Sequence, residues 1–286
     1  MPVAIVTDST ASLPADLAAT LDVVVVPLQV VIGATSYDEG VEGGATPEML
    51  AAALREWAPV STSRPNPAEM LDVYRKAAAA GATEIVSVHL SGVLSGTYES
   101  AQLAAREAPV PVLAVDTRQV GIGTGFAVLA AVEARDAGGA ASDVADAARE
   151  RAAATTSLFY VDTLEYLRRG GRIGAAAALL GSALAVKPIL RVDDGRVAAF
   201  ERVRTAGRAL ARLEELAVEA AADHRVEVAV AHLASPDRAG QLAERLGERL
   251  AEGLDGRSVL LGEVGAVLGA HVGPGMVAVC VARRDG

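Results

Sequence analysis

Four short β-branched runs, Val3–Thr7, Val23–Gln29, Ile85–His89 and Val112–Asp116, alternate with alanine-rich stretches of helical length in the first half of the chain. Strands joined through helices run parallel, because a helical crossover returns the chain to the same end of the sheet and covers a sheet face as it goes. The alternation therefore predicts a parallel sheet wrapped by helices, an α/β lobe of three layers (α/β/α). Its helix starts are marked. Thr46-Pro47 sets a hydroxyl cap before a proline at the first helical position, and Asn66-Pro67-Ala68-Glu69 adds the carboxylate of a capping box.

After a helical pattern over 142–154 the texture changes. Strand-like Leu158–Val161, Pro188–Val192 and Val197–Arg202 follow, the last two joined by the hairpin signal Asp193-Asp194-Gly195. A helix over 205–222, a strand over 226–233, a helix over 236–249 and strands over 258–262 and 276–282 complete the pattern. The expectation is two lobes, 1–154 and 155–286, the second a two-layer α/β unit with a mixed sheet.

Composition narrows the function classes. The 286 residues are 51% hydrophobic, enough for a large core, and carry a formal charge of −10 with 3% aromatic residues. That balance supplies neither the basic patch nor the stacking platforms of a nucleic-acid binder. Cys280 stands alone in an apolar run and reads as a core residue; the chain is expected in a reducing cytoplasm. The first residues lack a basic segment leading into an apolar one, and no 18 residues run without interruption by polar ones, so no membrane span is expected.

Ligands of open parallel sheets sit beyond the carboxyl ends of the strands, which directs attention to three turns. These are "TDSTASLP" at 7–14, "STSRPNP" at 61–67 and "HLSGVLSGTYESA" at 89–101. In the third, Ser95-Gly96-Thr97 opens a helix, where unpaired N–H groups and the helix dipole favour a carboxylate or phosphate. The same residues also read as ordinary caps and turn glycines.

Together these segments resemble the DegV family, bacterial proteins similar to the fatty-acid-binding subunits of fatty acid kinase. The resemblance runs nearly end to end. It is carried by "TDSTASLP", "VVVVPLQVVI" at 23–32, "YDEGVE" at 37–42, "TSRPNP" at 62–67 and "LSGTYESA" at 94–101. In the second half it is carried by "DTLEYLRRGGRIG" at 162–174, "VKPIL" at 186–190, "RVRT" at 202–205 and "HVGPG" at 271–275. One departure stands out: His89-Leu90-Ser91-Gly92 occupies the stretch where the family usually carries two adjacent serines.

The resemblance implies a long-chain fatty acid in a tunnel between two α/β lobes, its carboxylate held by Thr62, Ser95, Gly96 and His271. It implies a protein that is not catalytic alone: it presents the carboxylate to a separate ATP-dependent kinase subunit, and the acyl phosphate feeds phospholipid synthesis. Neutral donors and one imidazole are expected around the head group. Arg172 and Arg204 are candidates for docking that subunit or assisting phosphoryl transfer, and equally for structural ion pairs. No cofactor and no metal are implied, and contact with a membrane is expected only transiently, for lipid exchange.

Two rivals have a sequence basis. Ser95, an aspartate such as Asp116 or Asp162, and His271 follow the chain order of α/β-hydrolases acting on acyl esters, although the G-x-S-x-G elbow is missing. "GIGTG" at 121–125 hints at a dinucleotide site but lacks the G-x-G-x-x-G spacing.

Overall fold

A computed structural model describes residues 3–179 and 187–284; Val186 of "VKPIL" lies outside them. The first half contains β1 (Val3–Asp8), α1 (Ala15–Thr20), β2 (Val23–Val26), β3 (Gln29–Ile32), β4 (Thr35–Asp38), α2 (Pro47–Arg55), β5 (Val60–Ser63) and α3 (Pro67–Ala79). It continues through β6 (Glu84–His89), α4 (Thr97–Ala105), β7 (Val112–Asp116), α5 (Ile122–Asp136) and α6 (Ala141–Ala153). The second half contains β8 (Thr155–Tyr160), α7 (Glu165–Arg169), β9 (Lys187–Asp193), β10 (Arg196–Val203), α8 (Ala206–Ala221) and β11 (Val226–His232). It ends with α9 (Pro236–Arg249), α10 (Ala251–Leu254), β12 (Leu260–Glu263), α11 (Ala266–Val272) and β13 (Val277–Arg283).

The β-branched runs form a parallel sheet ordered β2-β1-β6-β7. Helices α3 and α4 bury Met70, Tyr74 and Ala101 against one face, around Val6 and Ile85. Helices α1, α5 and α6 bury Ala18, Val128 and Val144 against the other, around Ile5, Val86 and Val88. The caps act as the sequence predicts. Thr46 accepts from Met49 N, and Asn66 and Glu69 close a reciprocal capping box before α3. The chain leaves β1 toward β2 and reaches β6 on the opposite side, so the carboxyl ends of β1 and β6 form the switch point of the sheet.

The second lobe is a mixed sheet ordered β10-β9-β8-β13-β11-β12. Its outer face packs on α8 and α9 through Leu158, Ile189, Leu213, Leu242 and Val279. Asp194 and Gly195 take positive φ in the tight turn joining β9 to β10, as the Asp-Asp-Gly signal requires.

Two features differ from expectation. The run Val23–Gln29 is not one strand: β2 ends at Val26, and Pro27, which has no N–H to donate to a ladder, sends the chain out of the parallel sheet. The chain then enters a separate antiparallel sheet ordered β4-β3-β5, too polar at Thr35–Asp38 and Val60–Ser63 to read as strands. Helix α11, seven residues that run into "HVGPG" and include His271, is likewise unforeseen.

Candidate functional site

The inner face of the mixed sheet does not close on itself. Because side chains alternate along a strand, Ser157 and Phe159 of β8, Ala231 of β11, and Ala278 and Cys280 of β13 line the same cavity. Leu90 and Leu94 beyond β6, Gly121 and Ile122 at the start of α5, and Val267 and Leu268 of α11 cover them. The space measures about 500 Å³, within the usual range for a small-molecule site. Small side chains on the sheet and the glycine at the mouth of α5 keep it open. Glycines 123 and 125 of "GIGTG" serve packing: a Cβ at Gly125 would crowd Ala11 O, and one at Gly123 would crowd Ser157 Oγ.

One end of the cavity is polar. Thr62 on β5 and His271 on α11 meet there, Thr62 Oγ1 lying 2.8 Å from His271 Nε2. His271 Nδ1 is buried without a hydrogen-bond partner. Burial, aided by the nearby Arg172 charge, lowers the His271 pKa to about 4, so the imidazole is neutral at neutral pH.

Ser95 and Gly96 border the same space, just before α4. Ser95 Oγ lies 2.9 Å from Thr97 Oγ1 and accepts from Thr97 N at 3.4 Å, while Gly96 caps the helix without a side-chain bond of its own, so the start of α4 brings N–H groups to the cavity. The structure thus brings Thr62, Ser95, Gly96 and His271 to one cavity from four separate segments.

The expected ring of neutral donors is incomplete as a description, because two guanidinium groups also line the cavity. Arg172 donates from Nε to Leu94 O at 3.0 Å and from Nη1 to Gly170 O at 2.6 Å, bracing the Ser95 loop against the turn after α7. Arg64, the residue that sequence reasoning missed, donates to Gly96 O at 3.1 Å and to Glu99 Oε2 at 2.6 Å. Its signal was present in "TSRP". Just outside, Ser95, Gly96, Arg172 and Arg196 border a second, more polar cleft of about 380 Å³. Arg204 is exposed between β10 and α8 and borders neither space.

The hydrolase constellation is not assembled at Ser95. Its hydroxyl engages Thr97 rather than His271, and His271 Nδ1 meets no carboxylate. Asp116 instead accepts from the N–H groups of Gly92 and Arg118, and Asp162 accepts from Tyr160. A serine–histidine–aspartate chain does exist elsewhere. Ser87 Oγ lies 2.7 Å from His89 Nε2, and His89 Nδ1 lies 2.8 Å from Asp8 Oδ2. All three are fully buried, and Tyr74, whose phenol burial pushes up to about 12, donates to Ser87 at 2.9 Å. With no access to solvent this chain ties β1, β6 and α3 together at the switch point.

The fold and site define a two-lobed α/β protein with an apolar cavity that ends in a polar cluster. The chain belongs to the DegV family. That family's model, described as an uncharacterised protein, matches residues 2–284. A DegV domain-containing protein of Streptomyces coelicolor is 53% identical over 282 residues, covering 99% of both chains. Among solved structures, a DegV family protein from Thermus thermophilus, described for its fatty acid binding, aligns with TM-score 0.91 and 36% identity over 99% of this chain and 100% of its own. DegV from Bacillus subtilis, described as a fatty acid binding protein, aligns with TM-score 0.88 and 30% identity over the same shares. Among the described residues, no helix is long and apolar enough to cross a membrane.

Proposed function

We propose that this chain binds one long-chain fatty acid, with the acyl chain in the cavity and the carboxylate against Thr62, Ser95, Gly96 and His271. The observation that carries this reading is the cavity's polarity: apolar walls from both lobes lead to an end where the Thr62 and Ser95 hydroxyls, the His271 imidazole and the Arg64 and Arg172 guanidinium groups gather. Burial of the chain supplies affinity at about 0.8 kcal/mol per methylene before the costs of association. The hydrogen-bonding cluster then sets the orientation, since a carboxylate buried without partners would be expelled. The boundary at 154/155 belongs to this proposal, supported by the mixed sheet beginning at Thr155.

The acid is not transformed by this chain alone. In this reading the carboxylate is presented at the cleft beside Arg172 and Arg196 to a separate ATP-dependent kinase subunit, which forms the acyl phosphate in the cytoplasm. Arg204, exposed and clear of both spaces, then serves partner docking.

Denaturing mass spectrometry of freshly purified protein, with extraction of bound lipid, tests the proposal. A fatty acid of about 14 to 18 carbons at close to one per chain is expected, since a ligand held by so many buried methylenes survives purification. Lipid-free protein whose melting temperature ignores palmitate and oleate would refute it.

A further inference from the structure

The segment "YDEGVE" contains a carboxylate that the binding reading does not use. Glu39, just after β4, is only 5% exposed. Its Oε1 accepts from Val267 N at 2.8 Å, across 228 residues of sequence, while Oε2 is buried without a partner. Burial raises its pKa, the nearby Asp8 adding to the effect while the Val267 N–H and the neighbouring Ser9 hydroxyl oppose it. An acid kept in so unfavourable a place calls for a reason beyond packing.

The geometry supplies one. Val267 is the second residue of α11, whose cap is Gly265 and has no side-chain bond of its own. A Cβ at Gly265 would overlap the Glu39 carboxylate, so no local serine or aspartate can take that place. His271 follows Val267 by one helical turn, on the same face. Strand β3 pairs with β4, which leads into Glu39, and with β5, which carries Thr62. One small sheet therefore grips α11 at its first turn through Glu39 and at its last through Thr62.

Resting on the fatty-acid reading above, we propose that Glu39 is a positioning residue for the head-group site, fixing α11 so that His271 Nε2 meets Thr62 and the bound carboxylate. Val267, itself the first anchor, and Leu268 beside it form part of the cavity wall, so the same grip holds that wall in place.

The test uses the full, delipidated chain and palmitate, read by displacement of a fluorescent fatty acid. Glu39→Ala is expected to weaken palmitate about tenfold, the loss of roughly one hydrogen bond to a buried group. Glu39→Gln, whose amide oxygen still accepts from Val267, is expected to restore it. In a His271→Ala background the Glu39→Ala effect is expected to shrink below about twofold, because the residue it acts through is gone. Equal losses in both backgrounds would overturn the inference, making Glu39 a general support of the fold. Should Glu39→Ala fail to fold, Glu39→Asp, one methylene short of Val267, carries the same comparison. The imidazole ¹⁵N resonance of His271 in lipid-free protein is the second readout, expected to move in Glu39→Ala and not in Glu39→Gln. A resonance unmoved in Glu39→Ala would overturn the inference even if no fatty acid bound. A wild-type chain that ignores palmitate would instead defeat the reading of the cavity.

Discussion

Thr62 Oγ1 and His271 Nε2 stand 2.8 Å apart although 209 residues separate them, and their contact joins the small antiparallel sheet to α11 at the polar end of the cavity. In the proposed reading the same contact holds both side chains where the carboxylate of the fatty acid meets them.

The two hydroxyls nearest the head group should contribute comparably. Thr62→Ala and Ser95→Ala are each expected to weaken fatty-acid binding by about 1.5 to 3 kcal/mol, roughly ten- to a hundredfold. Because both would serve one carboxylate, the double variant should lose less than the sum. Displacement titrations on the four proteins check this; strict additivity would separate the two residues.

His271 sets a pH dependence whose sign is fixed by its environment. Its folded pKa is about 4, below the unfolded value of 6.5, so between those values the unfolded chain takes up a proton that the folded chain refuses. The His271 contribution to stability is accordingly full above about pH 6.5 and is lost as pH falls toward 4. Denaturant unfolding from pH 4 to 8 should show this loss in the wild type and a flatter profile in His271→Gln.

The cavity floor should set the accepted chain length. Ala278 faces empty space from β13, so Ala278→Phe fills volume instead of displacing neighbours. It should leave the melting temperature of the lipid-free protein unchanged or higher, while shifting preference toward acids shorter by about two to four carbons, each lost methylene removing about 0.8 kcal/mol. Competition among acids of graded length measures the shift.

Arg204 and the binding cluster should separate in function. Arg204→Ala is expected to bind fatty acid as the wild type does and to lower acyl-phosphate production with a cognate kinase. Parallel loss of both activities would place Arg204 in the binding site after all.

The enclosed Ser87–His89–Asp8 chain predicts stability effects and no chemistry. His89→Ala removes one donor from the buried Asp8 carboxylate, which keeps those of Leu90 and Thr10, and should cost about 1 to 3 kcal/mol for the lost hydrogen bond besides the cavity left by the ring. Equilibrium unfolding measures it. A fluorophosphonate probe should label neither Ser87 nor Ser95 in the wild type.

Features written within a few residues were legible in the chain itself. The β-branched runs spaced by alanine-rich segments specify the parallel sheet, Asn66-Pro67-Ala68-Glu69 specifies the start of α3, and Asp193-Asp194-Gly195 specifies the turn between β9 and β10. Each works through local backbone geometry, so its signal is local. The ordered segments that resemble the DegV family added Thr62, Ser95, Gly96 and His271 as a set. Other features arise only when distant segments pack. Pro27 diverts the chain into a second sheet whose polar strands carry no alternating pattern, and that sheet delivers Thr62 and Glu39 to α11. The cavity itself belongs to no segment: it is the apolar face that the mixed sheet exposes and that the first lobe and α11 cover without filling. Periodicity announces that a face is apolar, but only the packed lobes decide whether side chains or a ligand will occupy it.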